Sequence, residues 1–274
     1  MDLKFFEEQV CFATVLIQAF SQDGRSCTGT GFVVFAEVPN LPGHTMTLLV
    51  TCKHCLFGKD GMVSFRMHRK RPGNEDRPDF DNNFNISPSE YANLYFEHDD
   101  PEVDVAVINL SRLFVDHPEI FIRTVGLHHF SDFTHELLLP GRDVVFIGYP
   151  LGLFDTKHNL PIMRSGKLAS IPKVDFNGKP EFLIDAQVFS GSSGSPVFVN
   201  AGRNWQFIGI VGKNLGYPNQ VELVNTPPNL AVRQPIGLGI VYKPKAVLDV
   251  MEKAFEAARR YVNAAALSAK HQEE

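Results

Sequence analysis

Apolar residues recur along the chain in short runs that are rich in Val, Ile and Phe and are bounded by turn residues. The runs cover 13–20, 29–38, 45–52, 62–67, 103–110, 143–150, 181–189, 206–213 and 238–244. Many short strands separated by Gly, Pro and Asn turns are typical of an all-β barrel or sandwich. Long helical periodicity is absent before residue 244, which argues against alternating α/β units. The pattern therefore predicts an all-β protein.

The last part of the chain has a helical pattern instead. Apolar residues recur there at intervals of three and four, at Val247, Leu248, Met251, Phe255 and Ala258. Pro244 stands where the first turn of a helix tolerates proline, so we predict one helix over 244–270. Residues 68–101 form a polar insertion with few apolar positions. This composition predicts a long surface loop.

The charge of the chain excludes some classes of partner. Its 274 residues carry a formal net charge of −5 and give a pI of about 6.1. Nucleic-acid and anionic-membrane partners favour a basic surface, so neither is indicated. The apolar run 10–20 is too short to cross a membrane, and it follows acidic residues where a secretion signal needs basic ones. We interpret this run as a buried strand and expect a soluble, cytoplasmic protein.

Four cysteines, at positions 11, 27, 52 and 55, lie in the first quarter of the chain. Secreted proteins usually spread several disulfides over the whole chain. The segment CKHC (52–55) is a C-x-x-C motif, which raises zinc binding or thiol redox chemistry as alternatives. No second C-x-x-C and no H-x₃₋₅-H pair accompany it, and the adjacent His128 and His129 have no companion at ligand spacing. We expect free, mostly buried thiols and no metal.

The segment FSGSSGSPVF (189–198) carries the most specific chemical signal. A hydroxyl nucleophile needs a tight turn on which backbone N–H groups converge. Gly191 and Gly194 flank Ser192 and Ser193 and give the backbone that freedom. A serine- and glycine-rich linker is the alternative, but linkers do not lie between two strongly apolar strands at this length. We therefore interpret the segment as a nucleophile turn.

Two further segments hold candidate partners for a serine. In LLVTCKHCLF (48–57), His54 lies just past an apolar strand, where it can act as a general base. A histidine in such a place is more often structural. In PEVDVAVINL (101–110), Asp104 enters an otherwise apolar strand, and burying a carboxylate is costly unless it is paired. A water-facing aspartate on an edge strand is the alternative reading of Asp104.

Together the three segments resemble the motifs of the trypsin-like serine proteases. TCKHC (51–55) matches the family's T-A-A-H-[CV] motif, DVAV (104–107) its D-[IL]-A-[LV] motif, and GSSGSP (191–196) its G-x-S-G-[GS]-P motif. The order His, Asp, Ser is that of the chymotrypsin fold and differs from the orders in subtilisins and α/β-hydrolases. The resemblance extends from residue 28 to the terminal helix.

Within this family the chain resembles the catalytic domains of HtrA-type proteases. VVFIGYPLGL (144–153) and MRSGKLASI (163–171) are similar to the segment that this branch carries between its aspartate and its serine. No PDZ-sized region follows the predicted terminal helix. The resemblance is therefore to the catalytic domain without a PDZ domain.

The chain departs from the secreted trypsins at two positions. They carry an acidic residue before the nucleophile, which binds a newly cut N-terminus, whereas this chain has Ser192. We therefore expect no zymogen activation by that route. The cysteine that would pair with Cys55 is replaced by Thr28, and the adjacent Cys27 should point to the opposite face of its strand. We predict four free cysteines.

The resemblance implies two antiparallel six-stranded β-barrels with the active site in the cleft between them. They would occupy residues 1–125 and 126–244, and a C-terminal helix with a short tail would occupy 245–274. The first barrel would carry His54 and Asp104, and the second would carry the serine.

The resemblance also implies a serine endopeptidase that hydrolyses proteins or peptides without a cofactor or metal. Ser193 would attack the peptide carbonyl, His54 would take the serine proton, and Asp104 would fix the imidazole. The backbone N–H groups of Gly191 and Ser193 would form the oxyanion hole. The sequence does not identify a regulatory protein partner.

By the same resemblance, four residues build the pocket for the P1 side chain, the residue before the cleaved bond. They are Gln187, Lys213, Asn214 and Ile240. Gln187 is neutral and Lys213 repels cations, so we expect no preference for Arg or Lys at P1. Small or medium uncharged side chains should fit best, and an acidic P1 would fit if Lys213 points inward.

Two other functions stay open at this point. One is an inactive member of the fold that serves as a binding module. The other is an esterase or acyl transferase that uses the same residues. G-x-S-x-G elbows belong to a strand–turn–helix context, and a strand follows Ser193 here, which favours the protease.

Overall fold

Two β-structures, formed by consecutive parts of the chain, make up most of the molecule. The computed structural model describes residues 3–88, 90–136, 138–202, 204–220 and 231–270. Within them, the first half of the chain forms one sheet and the second half forms a closed barrel. This arrangement confirms the predicted all-β class.

The first structure is a sheet of nine strands. They are Thr14–Phe20 (β1), Ser26–Glu37 (β2), Thr45–Thr51 (β3), Met62–Arg71 (β4), Asn74–Ile86 (β5), Tyr95–Glu97 (β6), Ala106–Asn109 (β7), Ile120–Phe121 (β8) and Val125–Gly126 (β9). The hydrogen-bonded order is β5-β4-β1-β2-β3-β7-β6, with β8 beside β4 and β9 beside β2. The expected six-stranded barrel is thus a longer sheet here, because the extended β4–β5 hairpin and the short strands β8 and β9 are added to it.

The second structure is the predicted six-stranded barrel. Its strands are Asp143–Gly148 (β10), Ile162–Leu168 (β11), Glu181–Asp185 (β12), Pro196–Asn200 (β13), Trp205–Gln220 (β14) and Ala231–Tyr242 (β15). They close in the order β10-β11-β12-β15-β14-β13, and every pairing is antiparallel. Inward-facing apolar residues such as Phe146, Phe182 and Val241 fill the barrel.

Four α-helices accompany the strands in the described ranges. They are Phe6–Ala13 (α1), Tyr91–Leu94 (α2), Ser111–Asp116 (α3) and Pro244–Lys270 (α4). Helix α4 has the predicted bounds, and its buried residues Val247, Met251 and Phe255 belong to the core of the first sheet. Each such side chain stabilises the fold by about 1.5–3 kcal/mol. No helix of the described ranges is long and apolar enough to span a bilayer.

Two local predictions are wrong. Residues 68–101 are not a long loop, since they form most of the β4–β5 hairpin, α2 and β6. Much of the hairpin is exposed and polar, so its strands lack the apolar runs from which the other strands are predicted. The run 10–20 is a strand only from Thr14, because residues up to Ala13 belong to helix α1. Val10 and Ala13 are buried in the same core as β1, so hydrophobicity alone does not mark this boundary.

Candidate functional site

His54 lies in the turn that leaves strand β3. The strand ends at Thr51, and a short 3-10 turn over Lys53–Cys55 carries the histidine. The His54 backbone N–H donates to Asp104 Oδ1 at 3.1 Å, and the ring Nδ1 is hydrogen-bonded to Asp104 Oδ2. This side-chain hydrogen bond raises the pKa of His54, whereas burial lowers it. With Nδ1 engaged, Nε2 is the ring atom left to accept a proton.

Asp104 precedes strand β7 and does not lie within it, since β7 begins at Ala106. The neighbouring Val103 and Val105 are buried, whereas the Asp104 side chain is 23% exposed. Two hydrogen bonds from His54 offset the cost of withdrawing the carboxylate from water. The structure thus brings these two predicted site residues together and excludes a purely water-facing aspartate.

Ser193 lies in the turn before strand β13 and is buried. Its Oγ donates to the carbonyl oxygen of Gly212 at 2.9 Å, and no hydrogen bond between described residues joins it to His54. The Ser193 carbonyl accepts from the Thr30 N–H at 3.0 Å and from the Cys55 thiol at 3.8 Å. In this arrangement the backbone of β14, and not the histidine, holds the serine hydroxyl.

Two glycines in the left-handed region shape the turn around Ser193. Their φ angles are 85° at Gly191 and 84° at Gly194. A Cβ at Gly191 would lie 2.3 Å from the Tyr149 carbonyl oxygen, and one at Gly194 would lie 1.9 Å from the Thr30 carbonyl oxygen. Both positions therefore require glycine for conformation and for space.

Hydrogen bonds from other segments orient the peptide groups of this turn. The Leu151 N–H donates to the Ser190 carbonyl at 2.6 Å, and Thr30 Oγ1 donates to the Gly191 carbonyl at 2.7 Å. The C=O and N–H of a trans peptide point in opposite directions, so the first bond turns the Gly191 N–H away from Leu151. In the part of the chain that the structure describes, the N–H groups of Gly191 and Ser193 have no acceptor. An oxyanion could bind to them.

The predicted pocket residues are only partly brought together. Asn214 Nδ2 donates to the Val188 carbonyl at 3.2 Å, which joins strand β14 to the exposed Gln187 and its segment. Asn214 pairs with Gly239 in the β14–β15 ladder, and a Cβ on Gly239 would lie 2.5 Å from Val188. Because residues alternate faces along a strand, Ile240 points away from Val188. Gly239 therefore faces Val188, and the place of Ile240 in the pocket stays a prediction.

Lys213, the fourth predicted pocket residue, is exposed on β14. The hydrogen bond from His54 Nδ1 to Asp104 raises the pKa of His54, and the positive charge of Lys213 lowers it. Lys213 is therefore close enough to His54 for its charge to lower the pKa of the imidazole.

Several site residues were missed by the sequence analysis. Thr30 Oγ1 both donates to Gly191 and accepts from the Tyr149 N–H at 3.0 Å, and Leu151 acts through its backbone. No motif marks such backbone contacts. The apolar run 29–38 did mark the strand on which Thr30 lies.

All four cysteines are free thiols, as predicted. The prediction that Cys27 faces away from Cys55 is wrong, because the two thiols share a hydrogen bond. Gly29 lies against the Cys55 sulfur, and Cys27, two residues earlier, is on the same face of β2. The hydrogen bond from Cys55 lowers the pKa of the half-buried Cys27.

One group of side chains in the described ranges has the spacing of metal ligands. It consists of Cys52, His54 and Asp104, whose ligand atoms lie within 4.8 Å of one another. Burial raises the pKa of Cys52 well above its usual range, and its thiol is within hydrogen-bond distance of the Val211 carbonyl at 3.3 Å. A protonated, enclosed thiol is a poor ligand, so the donor set does not favour a metal.

A sequence model of the trypsin-like peptidase domain matches residues 29–210 of this chain. No curated protein sequence matches it. Among solved structures, the protease Anisep from Arthrobacter nicotinovorans is similar, with a TM-score of 0.52, 12% identity, and coverage of 90% of this chain and 97% of that chain. This likeness concerns the fold alone.

Two other similar structures have TM-scores of 0.48. The Rv3671c protease from M. tuberculosis, in its active form, is 18% identical, with 88% of this chain and 80% of that chain covered. The HtrA-type protease AlgW with a tripeptide is 16% identical, with 91% of this chain covered. This chain spans 62% of the AlgW chain, less than two thirds of it.

Proposed function

The chain belongs to the trypsin-like peptidase family, and from this premise we propose that it is a serine endopeptidase with Ser193, His54 and Asp104 as its catalytic triad. The observation that carries the proposal is the two-point hydrogen bonding of His54 by Asp104. These hydrogen bonds fix the imidazole ring and strengthen it as a base. Nearby, the N–H groups of Gly191 and Ser193 have no acceptor among the described residues.

In the acylation step, Ser193 Oγ attacks the carbonyl carbon of the scissile peptide bond. Its proton passes to His54 Nε2, and Asp104 stabilises the resulting imidazolium. The serine hydroxyl must first leave the Gly212 carbonyl, which needs only rotation about its side-chain bond. Hydrogen bonds of this kind are often completed only when substrate is bound.

The negative charge that develops on the carbonyl oxygen needs donors that are already in place. The N–H groups of Gly191 and Ser193 supply them, and removal of one such donor typically costs about 10²–10³ in kcat. His54 then returns its proton to the leaving amine. Water attacks the acyl-enzyme with His54 again as base, which releases the second product and restores Ser193.

One observation favours an inactive binding module as the second candidate. Ser193 Oγ is hydrogen-bonded to Gly212 and not to His54, so a locked serine would leave the fold without catalysis. We rank it second because the Gly212 carbonyl restrains the hydroxyl by one hydrogen bond, worth about 1 kcal/mol.

Labelling with a fluorophosphonate, followed by mass spectrometry, separates the two candidates. An endopeptidase is labelled at Ser193 and cleaves an unfolded protein substrate, and the variants Ser193→Ala and His54→Ala do neither. Ser192→Ala is the matched control, since it changes the adjacent serine. A folded wild type that is neither labelled nor active would contradict the proposal and support the binding module.

The substrates of such an enzyme are proteins or peptides, and we place it in the cytoplasm. The four free thiols support this location, because reduced cysteines persist in a reducing compartment.

A further inference from the structure

Arg164 lies beneath the segment that precedes the nucleophile. On β11 it pairs with Phe146 of β10, so both side chains project from the same face of the barrel wall, towards its interior. The Arg164 guanidinium carbon lies 5.2 Å from the centre of the Phe146 ring and 5.0 Å from that of Phe189. Its Nη1 donates to the Gln187 carbonyl at 2.5 Å.

This arginine has no carboxylate partner in the ranges that the structure describes. The bond to Gln187 is its one hydrogen bond there, so most of its five N–H groups lack an acceptor. Burial lowers the pKa of Arg164. The nearby carboxylates do not pair with Arg164. Asp143 forms a salt bridge with Lys167 at 2.6 Å, and the exposed Asp185 lies opposite Lys167 in the β11–β12 ladder.

A partly buried guanidinium without an anion is unfavourable, and a carboxylate is its best partner. The 187–190 segment above Arg164 is the wall that ends at the turn of Gly191 and Ser193. Asn214 donates to the Val188 carbonyl, and Gly239 packs against the Val188 side chain. The positive charge of Arg164, which has no carboxylate partner in the described ranges, therefore favours an anionic ligand beside this wall.

We propose that Arg164 is a specificity-determining residue that binds the carboxylate of an acidic P1 side chain. The proposal rests on the proposed function and names its substrate class as peptides with Glu or Asp before the cleaved bond. It replaces our expectation of an uncharged P1, which considered only Gln187, Lys213, Asn214 and Ile240.

The test compares peptides that are identical except for the isosteric pair Glu and Gln at P1. For the wild type we expect kcat/KM for the Glu peptide to exceed that for the Gln peptide by about tenfold or more. Arg164→Gln should bring this ratio to about one or below, mainly through the Glu peptide. Arg164→Lys, which keeps the charge, should retain part of the preference. Lys167→Gln removes a charge from the same strand and should leave the ratio unchanged.

A binding measurement keeps the two proposals distinguishable. Ser193→Ala, which cannot turn over, is titrated with product peptides that end in Glu or in Gln. Tighter binding of the Glu peptide that is lost in Ser193→Ala/Arg164→Gln supports the role of Arg164 even if the enzyme is inactive.

Three results would overturn the assignment. The first is Ser193-dependent hydrolysis in which the wild type does not prefer Glu over Gln. This result would support the proposed endopeptidase function but contradict the role of Arg164. The second is an equal loss on both peptides in Arg164→Gln, which means that Arg164 merely supports the 187–189 segment. The third is a Glu preference that Lys167→Gln abolishes. If Arg164→Gln does not fold, a Glu preference that is reduced in Arg164→Lys supports the assignment, and an unchanged ratio there overturns it.

Discussion

The two halves of the site are held in different ways. His54 and Asp104 belong to one sheet and are linked directly through their side chains. The Ser193 turn belongs to the barrel, and hydrogen bonds to its carbonyl groups hold it, one from the Thr30 N–H and one from Thr30 Oγ1 of the sheet. The proposed base is therefore oriented within its own sheet, whereas the proposed nucleophile and its N–H donors depend on contact between the two β-structures.

The largest expected effect is loss of the nucleophile itself. Ser193→Ala should lower kcat by about 10⁵–10⁶-fold, because no other hydroxyl in the turn lies at that position. Ser192→Ala and Ser195→Ala should retain measurable turnover. Steady-state hydrolysis of a fluorogenic peptide measures these activities. An inactive Ser192→Ala variant together with an active Ser193→Ala variant would show that the nucleophile is assigned to the wrong serine of the motif.

Replacing the Asp104 carboxylate tests the part of the site that contains His54 and Asp104. Asp104→Asn should lower kcat by about 10³–10⁴-fold, because the imidazole loses its orientation and its charge partner. The Asp104 hydrogen bond raises the pKa of His54 above its usual 6.5, and only the neutral ring can act as base. Activity should therefore fall as the pH drops through that raised pKa.

The pH profile of kcat/KM provides the second readout for this variant. In Asp104→Asn the acid limb should move to lower pH, since the interaction that raised the pKa is gone. An acid limb at the same pH in both proteins would mean that another group controls it.

Cutting the link between the two β-structures should have a smaller effect. Thr30→Val keeps the shape of the side chain but loses the donor to Gly191 and the acceptor for Tyr149. We expect a decrease of about tenfold in kcat, with little change in KM, because the Gly191 N–H loses its fixed direction. Thr28→Val on the same strand is the control. If the Thr30 variant had full kcat, the barrel would hold the turn without help from the sheet.

The smallest effect on activity is expected from modification of the thiols. Their rates of alkylation are nevertheless informative about the structure. Cys11 and Cys27 are both half-buried, but burial raises the pKa of Cys11 to about 11, whereas the hydrogen bond from Cys55 lowers that of Cys27. At pH 7, iodoacetamide should modify Cys27 about tenfold faster or more. Peptide mapping measures the two rates, and equal rates would contradict the Cys27–Cys55 contact.

The sequence predicted those features that depend on local motifs. Most strands outside 68–101 and the bounds of α4 follow from the hydrophobic pattern, and the approach of His54 to Asp104 follows from the resemblance of three short segments to the family's motifs. The direction of the Ser193 hydroxyl does not, because it depends on which acceptor lies nearer after folding, and that acceptor is the backbone of Gly212.

One error arose where one residue of register decides the answer. Cys27 and not Thr28 faces Cys55. Neighbouring residues in a strand point to opposite faces, so an alignment shifted by one position exchanges the predicted contacts. The role that we propose for Arg164 has no sequence signal, because it depends on the β10–β11 pairing and on the segment that packs over the arginine.

The position of α4 has a consequence for the order in which the protein is made. The helix leaves the last strand of the barrel, yet its Val247, Met251 and Phe255 complete the core of the first sheet. During synthesis on a ribosome, the sheet that holds His54 and Asp104 therefore has an uncovered apolar face until these late residues emerge. This sheet is therefore expected to reach its full stability only after residues 247–255 have been translated, when the barrel strands have already been made.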